Sequence, residues 1–162
     1  IGVEAGQHPG ARLTHETLSQ ADDVSHTDFG RYVDDLLSSV FSFYTAAAVT
    51  VENAIEQVVL PTSTAVTIGP VINELATNAM KHGFCKSTDP RFSVSLTKER
   101  SGKDYALVVS NNGRPFPAEI DPHTSNSLGL LLVTNLVQQL KGTLELVRSP
   151  SAAFTIRFPV SE

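Results

Sequence analysis

"VINELATNAMKHGF", residues 71–84, is an apolar helix pattern with polar residues set into it at helical spacing. Glu74 and Asn78 stand four apart, with Lys81 and His82 one turn further on, so the four share one helical face. A carboxylate, a carboxamide, an ammonium and an imidazole in one stripe can hold a magnesium ion and a polyphosphate. Magnesium takes few protein oxygens, keeps its waters and accepts phosphate oxygens, so the oxygen of Asn78 alone is a reasonable anchor. The same spacing also fits the solvated side of an amphipathic helix, and charged helix faces are common.

Outward from this helix, which the pattern carries over residues 65–84, the chain alternates helices with pairs of strands. On the N-terminal side, Asp28 is placed to cap a helix whose apolar stripe runs Phe29, Tyr32, Val33, Leu36, Leu37, Val40, Phe41, Tyr44. Two short strands are expected at 48–52 and 57–60, divided by Asn53 and closed by Pro61. On the C-terminal side "RFSVSLTKE" alternates: Phe92, Val94 and Leu96 face one way, Ser93, Ser95 and Thr97 the other, as in a half-buried strand. A turn at Ser101-Gly102-Lys103-Asp104 returns the chain as "YALVVS". An irregular loop leads to a helix at 128–140 with Leu128, Leu132, Leu136 and Leu140 on one side. Gly142 is expected to end that helix, and "TLELV" and "FTIRF" to close the chain as an antiparallel pair. Helices gathered on one face of a mostly antiparallel sheet make an α+β two-layer sandwich.

Residues 1–11 contain glycine and proline without a period, and a short helical piece is expected at 11–20. Residues 1–27 therefore read as a linker or the end of an upstream helical region, and 28–162 as the domain. The first residue is Ile1 rather than methionine, which suggests a piece of something longer.

The 162 residues, 41% hydrophobic and 18% charged, suit one globular domain with a sizeable core. A formal charge of -5 gives no basic field to attract nucleic acid or an anionic membrane. The single cysteine, Cys85, rules out an internal disulfide and suits a cytoplasmic protein. No apolar run is long enough to span a bilayer. No His/Cys spacing suggests zinc, and His8, His26 and His123 lie in polar surroundings that read as solvated loop.

Two further stretches bear on chemistry. "VVSNNGRPFP", residues 108–117, ends a strand in Asn111, Asn112 and Gly113, which is also ordinary turn composition. In "SNSLGLLLVTNL", residues 125–136, Ser127 can cap the helix that begins at Leu128, and Gly129 in its first turn allows close approach to the backbone. A helix start after a polar loop is a natural phosphate site, although capping without a ligand fits equally well.

Taken together these segments resemble the Bergerat-fold (GHKL) ATPases, and most closely the catalytic, ATP-binding domain of bacterial sensor histidine kinases. "NELATNAMKHGF" is similar to their N box, "VVSNNGRPFP" takes the place of the first glycine box, and "SLGLLLVTNLVQQLKGTLEL" is similar to the second. "FTIRFP" resembles the closing strand, and "HETLSQADD" the segment that leads in from a dimerisation hairpin. The resemblance implies ATP and magnesium as cofactors. Asn78 would ligate magnesium, Glu74 would sit near the attacking group, and Lys81 and His82 would lie near the phosphates. Gly113 would let the backbone approach adenine, while Ser127, Leu128 and Gly129 would edge a lid formed by residues 116–126. It also implies as partners a dimerisation domain that carries the phosphoacceptor histidine, and a response regulator. His15, followed by Glu16, is a tempting acceptor, but the helix around it is too short for a dimerising hairpin, and the acceptor is expected upstream of this chain.

Three positions depart from the family pattern, all at the adenine end. Asn111 stands where the family carries an aspartate that accepts from the adenine amino group. Pro115 replaces a glycine, and Ala152 a threonine. Asparagine can still accept through its oxygen but loses the charge-assisted strength and adds two donors. The leading reading is a domain that transfers the γ-phosphoryl group of ATP to a histidine on another domain. The alternative is a degenerate module that acts through protein contacts, and a third reading is a serine-directed relative of the anti-sigma-factor kinases.

Overall fold

The computed structural model describes residues 26–160 except 45, 56, 57, 86, 125 and 126. The expected helix at 11–20, His8, His15 and most of the 1–27 linker lie outside the described residues.

Strand β1 (His26–Asp28) leads directly into helix α1 (Phe29–Phe41). Asp28 caps α1 as its position predicts, its carboxylate accepting from the Arg31 N–H at 3.3 Å. The apolar stripe of α1 buries Phe29, Val33 and Leu37 completely, with Tyr32, Leu36, Val40, Phe41 and Tyr44 packed beside them. His26 is not in a solvated loop: it lies half-buried in β1, which pairs antiparallel with β3 (Val59–Pro61).

Asn53 does not divide two strands. It lies within β2 (Thr50–Ile55), where its side-chain oxygen accepts from the Ile55 N–H. Its Nδ2 donates to the Gly30 carbonyl and the Asp34 carboxylate. An asparagine whose amide is satisfied by a neighbouring helix, and whose oxygen bonds within its own strand, no longer needs a turn.

Helix α2 (Thr62–Asn78) continues into one π turn, Ala79–Gly83. The hairpin follows as β4 (Arg91–Lys98) and β5 (Asp104–Asn111), with Phe92, Val94 and Leu96 buried as the alternation predicts. After helix α3 (Leu128–Gln139) come β6 (Thr143–Val147) and β7 (Ala153–Pro159). The five-stranded sheet runs β2-β4-β5-β7-β6, antiparallel except for the β2–β4 pair. This is the expected α+β two-layer sandwich, with α2 packed between α1 and α3.

The core lies between that helical layer and the inward residues of the sheet, among them Val94, Leu107, Val109 and Ile156, each at most 1% exposed. Each such side chain stabilises the fold by roughly 1.5–3 kcal/mol relative to exposure. Helix α3 turns inward a face that is only partly the one its leucines suggest: Leu136 and Leu140 lie half-buried against the core. Leu130, Val133 and Val137 are buried, whereas Leu128 is 81% exposed and Leu132 is also exposed. A four-residue step overshoots one turn of 3.6 residues, so a ladder of such steps drifts around the helix instead of tracking one face. The left-handed residue after α3 is Lys141, at φ 59°, rather than Gly142.

Candidate functional site

A cavity of about 320 Å³ opens where the π turn of α2, the end of β5, the start of α3 and the approach to β7 converge. It falls at the lower end of the roughly 300–1,000 Å³ typical of small-molecule sites. Leu75, Ala79, Leu130, Ala152 and Phe154 supply apolar wall, while Asn78, His82, Asn111, Arg114 and Ser127 supply polar groups. An apolar slot with a few convergent polar groups suits a flat heteroaromatic ring carrying a polar tail.

Asn78 ends α2 on the cavity wall, and its carboxamide has no protein partner among the described residues. The π turn that follows rearranges the stripe read from the sequence. Its Phe84 N–H donates to the Ala79 carbonyl five residues back, at 2.8 Å. The wider turn brings His82 back toward the face of Asn78 and swings Lys81 off it. Both side chains are exposed, but His82 lines the cavity and Lys81 does not.

Glu74, one turn before Asn78, lies outside the cavity wall and against α3. A Cβ added to Gly129 would stand 2.6 Å from the Glu74 Oε2. The close backbone approach that Gly129 permits is thus taken by a carboxylate of this chain, placed where a helix N-terminus favours negative charge. Ser127 holds the N-cap position of α3 and reaches the cavity, but its side chain makes no capping bond to the helix amides. Its carbonyl accepts from the Leu131 N–H instead. Leu128 projects away from the cavity into solvent.

The two asparagines at the end of β5 divide the work. Asn112 is structural: its oxygen accepts from the Arg91 N–H at 2.8 Å and its amide donates to the Asp89 carbonyl at 2.9 Å. Asn111 lines the cavity, with its Oδ1 accepting from the Gly113 N–H at 2.8 Å. Gly113 does not line the cavity. A Cβ there would collide with the carbonyl of Gly83, so glycine is required for the loop to touch the π turn. The next residue fastens that contact, its N–H donating to Gly83 O at 2.8 Å and its guanidinium Nε to His82 O at 3.2 Å.

That residue, Arg114, is a cavity-lining cation that the sequence reading passed over. The signal was present as a charge directly after the glycine of a candidate ligand loop. The rest of the loop is anchored by Phe116, whose ring meets Phe154 edge-on at 5.7 Å and lies under the Arg148 guanidinium at 5.5 Å. Pro117 and Ile120 line the cavity from this side. Further along, the His123 N–H, followed by the His123 ring, holds the exposed Asp121 carboxyl below its ordinary range. Residues 125 and 126 of the expected lid lie outside the described residues.

Among the described residues no cluster of His, Cys, Asp or Glu could hold a metal by itself. A cation here would need the single oxygen of Asn78 and oxygens brought by a ligand. That donor set fits magnesium with a polyphosphate.

The sequence profile of the histidine kinase-, DNA gyrase B-, and HSP90-like ATPases matches residues 63–162. Blue-light-activated histidine kinase 2 of Erythrobacter litoralis is 26% identical over 93% of this chain and 45% of its own length. The sensor histidine kinase PdtaS of Mycolicibacterium smegmatis is 30% identical over 91% of this chain and 30% of its own. The chain therefore spans less than half the length of these relatives. The solved histidine kinase domain of the Erythrobacter litoralis EL346 blue-light activated kinase superposes with a TM-score of 0.72. It is 25% identical and covers 83% of this chain and 62% of its own. With the profile covering more than half of its residues and the site built as described, the chain belongs to the histidine kinase-, DNA gyrase B-, and HSP90-like ATPases, as an ATP-binding domain of the histidine kinase type.

Proposed function

We infer that this domain is the catalytic part of a two-component sensor histidine kinase and transfers the γ-phosphoryl group of ATP to a histidine on a dimerisation domain. The observation that carries this reading is Asn78, a carboxamide without a protein partner on the wall of a cavity whose remaining surface suits a purine ring. In it, Asn78 holds magnesium against the phosphates, and His82 and Arg114 bring further polar groups to the triphosphate. Magnesium, when bound, neutralises charge on the phosphoryl group in flight. Leu75, Ala79, Ala152 and Phe154 bury the ring and keep water from it. Glu74 orders the start of α3 and, through it, the edge of the loop at 116–126. Lys81 stays in solvent.

In the transfer the bond from the γ-phosphorus to the β–γ bridging oxygen breaks as a bond to an imidazole nitrogen forms. ADP leaves, and the imidazole proton passes to solvent. Residues 28–162 form the ATP-binding unit in this reading, and 1–27 link it to the domain that bears the histidine. A response regulator then takes the phosphoryl group from that histidine. Among the described residues no helix is long and apolar enough to cross a membrane, and the reading places the domain in the cytoplasm.

The full-length protein, incubated with γ-labelled ATP and magnesium, is expected to take up label that is lost in acid and retained in alkali, as phosphohistidine is. Acid-stable label, or none, contradicts the assignment.

A further inference from the structure

The geometry points to a base end that favours a purine with a carbonyl at position 6 over one with an amino group there. This inference rests on the nucleotide reading above and concerns the polarity of one residue, Asn111.

An asparagine offers an acceptor on one side of its carboxamide and donors on the other, and its neighbours decide which side faces a ligand. Here the choice is fixed. The Gly113 N–H can only donate, so the atom 2.8 Å from it is the oxygen, Oδ1. Turning the carboxamide over would set two donors against each other. The loop cannot retreat to relieve this, because Gly113 is packed on the Gly83 carbonyl and its own carbonyl accepts from the Ser151 hydroxyl. The Asn111 main chain is held as well, its N–H donating to Ala152 O at 3.2 Å.

The group left over is Nδ2, a donor with no protein partner among the described residues, on a residue that lines the cavity beside Ala152 and Phe154. A carboxylate at this position would accept from Gly113 with one oxygen and still present the other to the ligand. The carboxamide presents an amide instead. An exocyclic amino group facing that amide makes a donor–donor contact, whereas a ring carbonyl accepts from it. ATP is still held by its phosphates and by burial of its ring, but its amino group would reach Asn111 only by sharing Oδ1 with the Gly113 N–H.

Inosine triphosphate and ATP differ in the 6-substituent and the N1 proton that accompanies it, which makes them the probe pair. In calorimetric titrations of this chain with magnesium, inosine triphosphate is expected to bind about tenfold more tightly than ATP, the usual size of one buried hydrogen bond made against one left unmade. Asn111→Asp keeps the acceptor for Gly113 and is expected to reverse the order. ATP binding as tightly as inosine triphosphate, or an Asn111→Asp change that shifts both nucleotides equally, overturns the inference and leaves nucleotide binding standing. Binding of neither overturns the nucleotide reading and this inference together.

Discussion

Asn78→Ala is expected to abolish the magnesium-dependent part of nucleotide binding, weakening affinity about a hundredfold. The carboxamide has no protein partner among the described residues, so its removal leaves no protein group unsatisfied and should barely alter folding. On the proposed reading, what is lost is the one protein oxygen that would, among the described residues, meet the cation. Bonds to charged groups contribute about 1.5–3 kcal/mol, which corresponds to roughly ten- to a hundredfold in affinity. The concave, largely apolar setting puts this one at the upper end. Titrations in magnesium and in a chelator separate the two contributions. The variant should bind in magnesium as weakly as the unsubstituted chain binds in chelator, with its unfolding midpoint unchanged. A variant that still gains affinity from magnesium would take Asn78 out of the site.

The largest effect on stability is expected for Gly113→Ala, a loss of about 2–3 kcal/mol, the upper range for overpacking. An added methyl usually displaces the tip of a flexible side chain, at little cost. Here it would meet the carbonyl carbon and oxygen of Gly83, which belong to the main chain of the π turn. Moving the loop away breaks the bond from the Arg114 N–H to the same carbonyl and pulls Gly113 from Asn111 Oδ1 and the Ser151 hydroxyl. Urea unfolding should show the loss, and nucleotide affinity should fall with it because the cavity wall moves. A change within about 0.5 kcal/mol, the range of ordinary surface substitutions, would mean that the loop and the π turn are not locked together.

Much of the architecture was legible because local and global signals agree. Asp28 followed by a broad apolar stripe specified α1, and the alternation from Arg91 to Lys98 specified a strand with one buried face. Where signals conflicted, tertiary contacts decided. Asn53 carries a turn signal, but Gly30 and Asp34 of the neighbouring helix satisfy it within a strand. The leucines of α3 read as the inner face, yet its fully buried residues are Leu130, Val133 and Val137, with Leu136 and Leu140 half-buried beside them.

Of the candidate site residues only part comes together: Glu74, Lys81, Gly113, Leu128 and Gly129 do not line the cavity. Asn78, His82, Asn111 and Ser127 do meet on one cavity. Five residues of π turn leave no periodic trace, so the departure of Lys81 from the cavity that His82 lines could not be read from spacing. Nor could the sequence say which of two adjacent asparagines has both polar groups of its side chain taken by the protein, since that depends on the positions of Arg91 and Asp89 across the hairpin. Gly113 was read as letting the backbone approach adenine, but the close approach it permits is to Gly83, far away in sequence.

Calorimetric titration of this chain with ATP, with and without magnesium, tests most directly whether the cavity is a working nucleotide site. A saturable heat that strengthens when magnesium is present is the expected result. No heat and no thermal shift at several millimolar ATP in magnesium would contradict it, and the domain would then have to act through its protein contacts.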